Sequence, residues 1–195
     1  MDKSDIISLP NPHLRQRSRK VSVISDEIKQ LVKDMEQATL SWEDSRQHEV
    51  GVALAAVQVD CLDRLVIIRN NFNDKADRSF QVYLNPKITK KFGDIVEDYE
   101  GCLSIKDTYG KVARHSKIKV LAKNLQGKEV RLTAEGFLAR VFQHEIDHTN
   151  GIVFVDHIKD QPDNFYTLES DGSLKQLDYK KIIENNPDLW VLKED

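Results

Sequence analysis

The sequence's most reactive combination is Gln143-His-Glu-Ile-Asp-His148, which contains a His-Glu-x-x-His pattern. On a helix, His144 and His148 sit one turn apart, roughly 6 Å along the axis, so both imidazoles can reach one ion. Glu145 lies to the side of that pair. It can accept a proton from a metal-bound water without occupying a coordination position. The bland alternative is a chance match, with both histidines as filler on an ordinary helix.

Two histidines leave a catalytic ion one protein ligand short. His157 falls nine residues after His148, too far for the third histidine that metzincins place at about six. No suitably placed downstream glutamate stands out. Upstream, Cys102 lies in Glu100-Gly-Cys-Leu-Ser104. It follows a glycine, in a segment that reads as too short and irregular for a core strand, so its sulfur could face a site. A lone cysteine is more often an inert buried residue, and that reading stays open on these grounds.

The histidine pair needs a helix to present it. One is expected from about Thr133, as N-cap, to Asn150-Gly151. Phe137, Val141, His144 and His148 share one face, and Leu138, Phe142 and Ile146 line another. A helix apolar on two sides belongs in an interior. An earlier helix is expected over 26–41, capped by Ser25, with Ile28, Leu31, Val32, Met35 and Ala38 as its stripe. Strands are expected at 65–68, 80–84 and 117–122, the last turning at 124–127 to return through Val130 and Leu132. Residues 70–78 read as a surface loop. Residues 152–155 form a short apolar run. A terminal hairpin (165–168 with 174–177) and a short helix capped by Asp178, ending near Asn186-Pro187, close the chain.

Three separated segments resemble the signature motifs of the peptide deformylase family, in order and spacing. They are Gly51-Val-Ala-Leu-Ala-Ala-Val-Gln58, Glu100-Gly-Cys-Leu-Ser104 and Gln143-His-Glu-Ile-Asp-His148. Pro10-Asn-Pro-His-Leu-Arg15 with Val21 is similar to the family's opening segment, so the likeness spans about 8–158. The resemblance implies an α+β fold, with antiparallel β-sheets around a central helix that carries the histidine pair. It implies a catalytic unit over 1–160 and leaves 161–195 as an appendage packed on the same domain.

Carried over by position, the resemblance implies a metal held by Cys102, His144 and His148, with water as fourth ligand. Glu145 becomes general base and then acid. Gln58 and the Leu103 backbone N–H become oxyanion donors. Gly51, Val52, Ala53, Phe137 and Val141 become the methionine pocket, although Phe137, Val141 and Val52 read as core by default. Gln143 and Asp147 read as structural, with Arg114 as a partner for Asp147. Fe2+ is the implied native ion, and a Cys/His/His set also accepts Zn2+, Ni2+ or Co2+. The implied substrates are formyl-methionyl nascent peptides, with contact to the ribosome near its exit tunnel left open.

Three positions depart from the family pattern: Ala53 and Lys106 replace the usual Gly and Pro, and Val57 replaces another Pro. They bear on substrate affinity and loop shape and leave the reacting groups intact. Two rivals remain at this point: a zinc peptidase of the His-Glu-x-x-His type, and a deformylase-like fold kept for binding.

A net charge of −3 opposes a general nucleic-acid binder. No apolar run reaches membrane-spanning length. Met1-Asp-Lys-Ser-Asp-Ile-Ile-Ser-Leu-Pro10 has no basic region followed by an apolar core, so no signal peptide is expected. Cys61 and Cys102 are therefore expected as reduced thiols, Cys61 in the core, and a cytoplasm as the compartment.

Overall fold

The computed structural model describes residues 1–184, 186–187 and 189–190. Two helices, α1 (Asp26–Asp44) and α2 (Gly136–His148), combine with seven strands. These are β1 (Ala53–Ala55), β2 (Leu65–Arg69), β3 (Phe80–Cys102), β4 (Ile105–Lys123), β5 (Glu129–Glu135), β6 (Phe165–Leu168) and β7 (Leu174–Gln176). The class is mixed α+β. The named strands all pair antiparallel, in the order β1-β2-β3-β4-β6-β7, with β5 also on β4. They form one connected sheet where several were expected.

Every residue of β2 is buried. Leu65 and Ile67 join a cluster with Ile28, Val32 and Met35 of α1, while Ile68 joins Ala139, Phe142 and Ile146 of α2. A strand with a helix on each face needs apolar residues in succession, not in alternation. That explains the run Leu-Val-Ile-Ile. Helix α1 begins where expected, with the Ser25 side chain accepting from the Ile28 N–H and so satisfying an unpaired helix-start donor.

The central hairpin is far longer than its expected strands. Between residues 89 and 99 the side chains of β3 are mostly exposed, so that stretch shows no apolar alternation. Its pairing with β4 holds it in place, and Val112, Arg114, Ile118 and Val120 form the buried face of β4. Glu100 and Cys102 accordingly end a long strand; they are not an irregular segment.

Thr133 is not a helix cap. It lies in β5 opposite Lys119, and Gly136, at φ 56°, turns the chain from strand into α2. After His148 the helix closes through Gly151, at φ 75°, as the N–H groups of Gly151 and Ile152 donate to the carbonyls of His148 and Asp147. Residues 139–146 and His148 are buried, as a helix apolar on two sides requires. Phe137 is the exception: it is 45% exposed, not core.

The loop at 70–78 and the terminal hairpin form as expected. Asp178 caps Tyr179–Ile183, which stops before the expected end; residues 185, 188 and 191–195 lie outside the described set. Among the described residues, no helix is long and apolar enough to cross a membrane.

Candidate active site

The end of β3 delivers Cys102 to the face of α2 that carries the histidines. Cys102 Sγ is 3.2 Å from His148 Nε2, which is 3.1 Å from His144 Nε2. Cys102 and His144 are under a tenth exposed, and His148 is fully buried. His144 Nδ1 lies 2.9 Å from Glu100 Oε2. With its proton there, Nε2 keeps a free lone pair facing the sulfur and the second imidazole. Three lone-pair donors thus converge within 4.8 Å of one another. The donor set fits a divalent ion with three protein ligands and an open position.

Glu100 did not stand out from the sequence as a functional residue. Its Oε1 accepts from Arg114 Nε at 2.9 Å and Arg140 Nη1 at 2.8 Å, and its Oε2 accepts from Arg114 Nη2 at 3.0 Å. Burial alone would raise this carboxyl; the hydrogen bonds from His144 and Arg114 outweigh it and hold the group well below the usual carboxylate range. Arg114 also reaches Asp147 Oδ2 at 2.5 Å, the pairing expected from the sequence. Glu100 and Cys102 are two apart, hence on one face of β3, a relation that shows only once the segment is known to be a strand.

Glu145 is 5% exposed, and its Oε2 has no hydrogen-bond partner among the described residues. Burial raises its carboxyl to about 7. A buried, unpaired carboxylate oxygen is costly, and Glu145 lines the same cavity as Cys102 and His144.

Gln58 is oriented by its neighbours. Its Oε1 accepts from the Ala55 N–H at 2.9 Å, so its NH2 group must face the other way, toward Ser104 Oγ at 3.1 Å and Cys102 Sγ at 3.5 Å. Leu103 lies in the turn between β3 and β4, on the wall of the same cavity. The N-terminal segment braces both: Ile7 N–H donates to the Gln58 carbonyl and Leu9 N–H to the Ser104 carbonyl. Gln143 ties α2 to β4, its Nε2 donating to the His115 carbonyl at 2.9 Å.

One cavity of about 970 Å³ contains Glu145, Cys102, His144, Gln58 and Leu103, and Val52, Ala53, Val141 and Phe137 line it too. Phe137 meets Phe72 edge-on, with centroids 4.9 Å apart. Gly51 is not on the cavity wall. Its N–H donates to Glu43 Oε2 at 2.9 Å, and a β-carbon there would stand 2.7 Å from Thr39 Cγ2. Its role is close approach to α1, where Glu43 also pairs with the buried Arg69. Cys61 is half-buried beside the α1 core cluster, not within it.

Residues 3–164 match the family model described as Polypeptide deformylase. A peptide deformylase from Thermomicrobium roseum is 39% identical over 159 residues, covering 80% of this chain and 86% of the relative. Peptide deformylase 2 of Clostridium acetobutylicum is 43% identical over 143 residues, covering 73% and 87%. Among solved structures, a Synechococcus elongatus peptide deformylase in complex with actinonin aligns at TM-score 0.72 and 37% identity, covering 80% of each chain. The buried Cys/His/His cluster, the free carboxylate beside it and these likenesses agree: the chain belongs to the peptide deformylase family.

Proposed function

We propose that this chain hydrolyses the formyl group from the N-terminal formyl-methionine of nascent polypeptides, releasing formate. The carrying observation is the convergence of Cys102, His144 and His148 beside the unpaired carboxylate of Glu145. A divalent ion held by those three residues would supply Lewis acidity and an activated water near neutral pH. Fe2+ is the proposed native ion on the family resemblance, and a thiolate with two imidazoles also accepts Zn2+, Ni2+ or Co2+.

The chain's own groups divide the rest of the work. Glu145 takes a proton from the attacking water and gives it to the departing amine. The Gln58 Nε2–H group and the Leu103 backbone N–H donate to the formyl oxygen as negative charge builds there. The Ala55 N–H fixes the Gln58 amide with its NH2 group toward the cluster, and the hydrogen directed at Cys102 Sγ, at 3.5 Å, is the one that turns to the formyl oxygen. Val52, Ala53 and Val141, with Phe137 at the rim, offer the methionine side chain an apolar slot. Glu100, held by two arginines, fixes the tautomer and orientation of His144.

In this reading α2 is the central helix of the site, and the described part of 161–195 is an appendage on the catalytic unit 1–160. A cytoplasmic setting, with substrates met near the ribosomal exit tunnel, is proposed with that function. Parallel assays of formyl-Met-Ala and of an N-acetylated peptide test the function. Formate release from the first, with no peptide-bond cleavage in either, is expected; peptide cleavage without formate release would point to the peptidase alternative.

A further inference from the structure

The cavity around Glu145 extends well beyond the reacting groups. At about 970 Å³ it stands at the upper end of the roughly 300–1,000 Å³ typical of small-molecule sites, ample for more than formyl-methionine. Two elements that the chemistry does not use build its far end. One is the segment after α1. There the Arg46 guanidinium lies 5.0 Å from the Trp42 ring centroid, and its Nη1 is 3.2 Å from Glu49 Oε2. The other Glu49 oxygen accepts from the Tyr109 hydroxyl.

The second element is the hairpin β6–β7, which follows the stretch shared with the family. Leu168 and Leu174 stand opposite each other in register, and both line the cavity together with Gly172. The hairpin is rooted firmly. Phe165 is fully buried in a cluster with Cys102, Ile105 and Phe154, and β6 pairs with β4 at Tyr109 and Gly110. Beside that pairing, Gly110 lets Phe154 and Ile158 pack onto β4, since a β-carbon there would stand 2.4 Å from Ile158 Cδ1 and 2.8 Å from Phe154 Cε2. At the hairpin's tip a β-carbon on Gly172 would stand 3.4 Å from the His48 ring. The hairpin therefore reaches from β4 to the loop after α1, across the far end of the cavity.

We propose that β6–β7 is a specificity element: Leu168 and Leu174 receive apolar side chains of the substrate residues that follow formyl-methionine. The hairpin presents Leu168 and Leu174, while Arg46, Glu49, Lys106 and Asp107 line the cavity elsewhere, so apolar residues are favoured at the substrate positions that meet the two leucines. This rests on the deformylase reading, and turnover of formyl-Met-Ala by the unaltered chain tests that reading separately.

The test compares kcat/KM for formyl-Met-Ala-Leu-Leu and for formyl-Met-Ala in the unaltered chain, Leu168→Ala and Leu174→Ala. The ratio of the long to the short substrate is expected to fall about tenfold in each variant, through the KM of the long peptide. A purely structural loss would lower both substrates together; a ratio equal to that of the unaltered chain overturns the proposal. Should either variant fail to fold, the unaltered chain still decides. A formyl-Met-Ala peptide carrying a photoreactive benzoylphenylalanine next is irradiated in the site and the crosslinks mapped. Crosslinks within 165–176 support the proposal, and crosslinks confined to other segments overturn it.

Discussion

Glu100 Oε2 and His144 Nδ1 stand 2.9 Å apart, and through this contact the whole buried charge network bears on the metal-ligating face of α2. The carboxylate also joins Arg114 and Arg140, so one strand residue fixes the position of a helix ligand and neutralises two buried guanidinium groups.

Glu100→Ala is therefore expected to act twice. It leaves Arg140 buried without its counter-charge and Arg114 with Asp147 alone, a loss of about 3–5 kcal/mol in folding stability. It also frees the His144 ring, which should weaken metal affinity by about 10–100-fold. Chemical denaturation and competition with a metal chelator measure the two effects. Unchanged metal affinity in a folded Glu100→Ala protein would show that the contact does not position His144.

His144→Ala, His148→Ala and Cys102→Ser are each expected to lose most of the bound metal, because three protein ligands leave none to spare. Metal analysis of the purified proteins checks this. Full occupancy in Cys102→Ser would remove the sulfur from the ligand set.

Glu145→Gln should keep the metal and lose about 10²–10⁴-fold in kcat, since an amide of the same shape cannot take the proton. Stability should not fall with it, because the buried Oε2 makes no hydrogen bond that the substitution could break. Near-normal turnover by a metal-loaded Glu145→Gln protein is incompatible with the proposed role.

Much of this site was legible in the sequence, for reasons that differ by residue. The histidine pair follows from the helical repeat, and the stripe Ile28, Val32, Met35 and Ala38 announces α1 because that helix is apolar on one face only. The length of β3 was hidden, since its middle faces solvent and only its partner strand carries the apolar pattern. Glu100 was hidden for the opposite reason: a charged residue reads as surface until the two arginines that neutralise it are brought together from β4 and α2. The start of α2 was misread because Thr133 suits a cap as well as a strand, and pairing with Lys119 decides for the strand. Gly51 and Phe137 show that a position in a motif or on a helix face does not settle what a side chain touches.

Gly51→Ala is expected to destabilise the fold by about 1–3 kcal/mol. The new methyl would meet both the Thr39 side chain and its carbonyl oxygen, at 2.7 and 2.9 Å, and neither can retreat without shifting α1. A denaturation midpoint equal to that of the unaltered chain would contradict the close packing.

Ala53 of β1 pairs with Ile68 of β2, is 5% exposed and lines the cavity. Ala53→Gly is expected to change KM and inhibitor affinity by an amount worth about 1–3 kcal/mol if the methyl meets bound peptide, and to leave metal content as it was. Steady-state kinetics on a formyl-Met-peptide, with hydroxamate binding, decide it. Unchanged constants would place the peptide elsewhere.

Cys102, His144 and His148 would hold one divalent ion, and with Glu145 beside it this cluster is proposed to carry formyl hydrolysis. The most direct measurement is formate release from a formyl-Met-peptide during anaerobic titration of metal-stripped protein with Fe2+. Formate production should rise in proportion to bound metal, saturate at one ion per chain, and appear together with one free amine per formate. Protein that binds one ion per chain at this cluster and releases no formate would contradict the account.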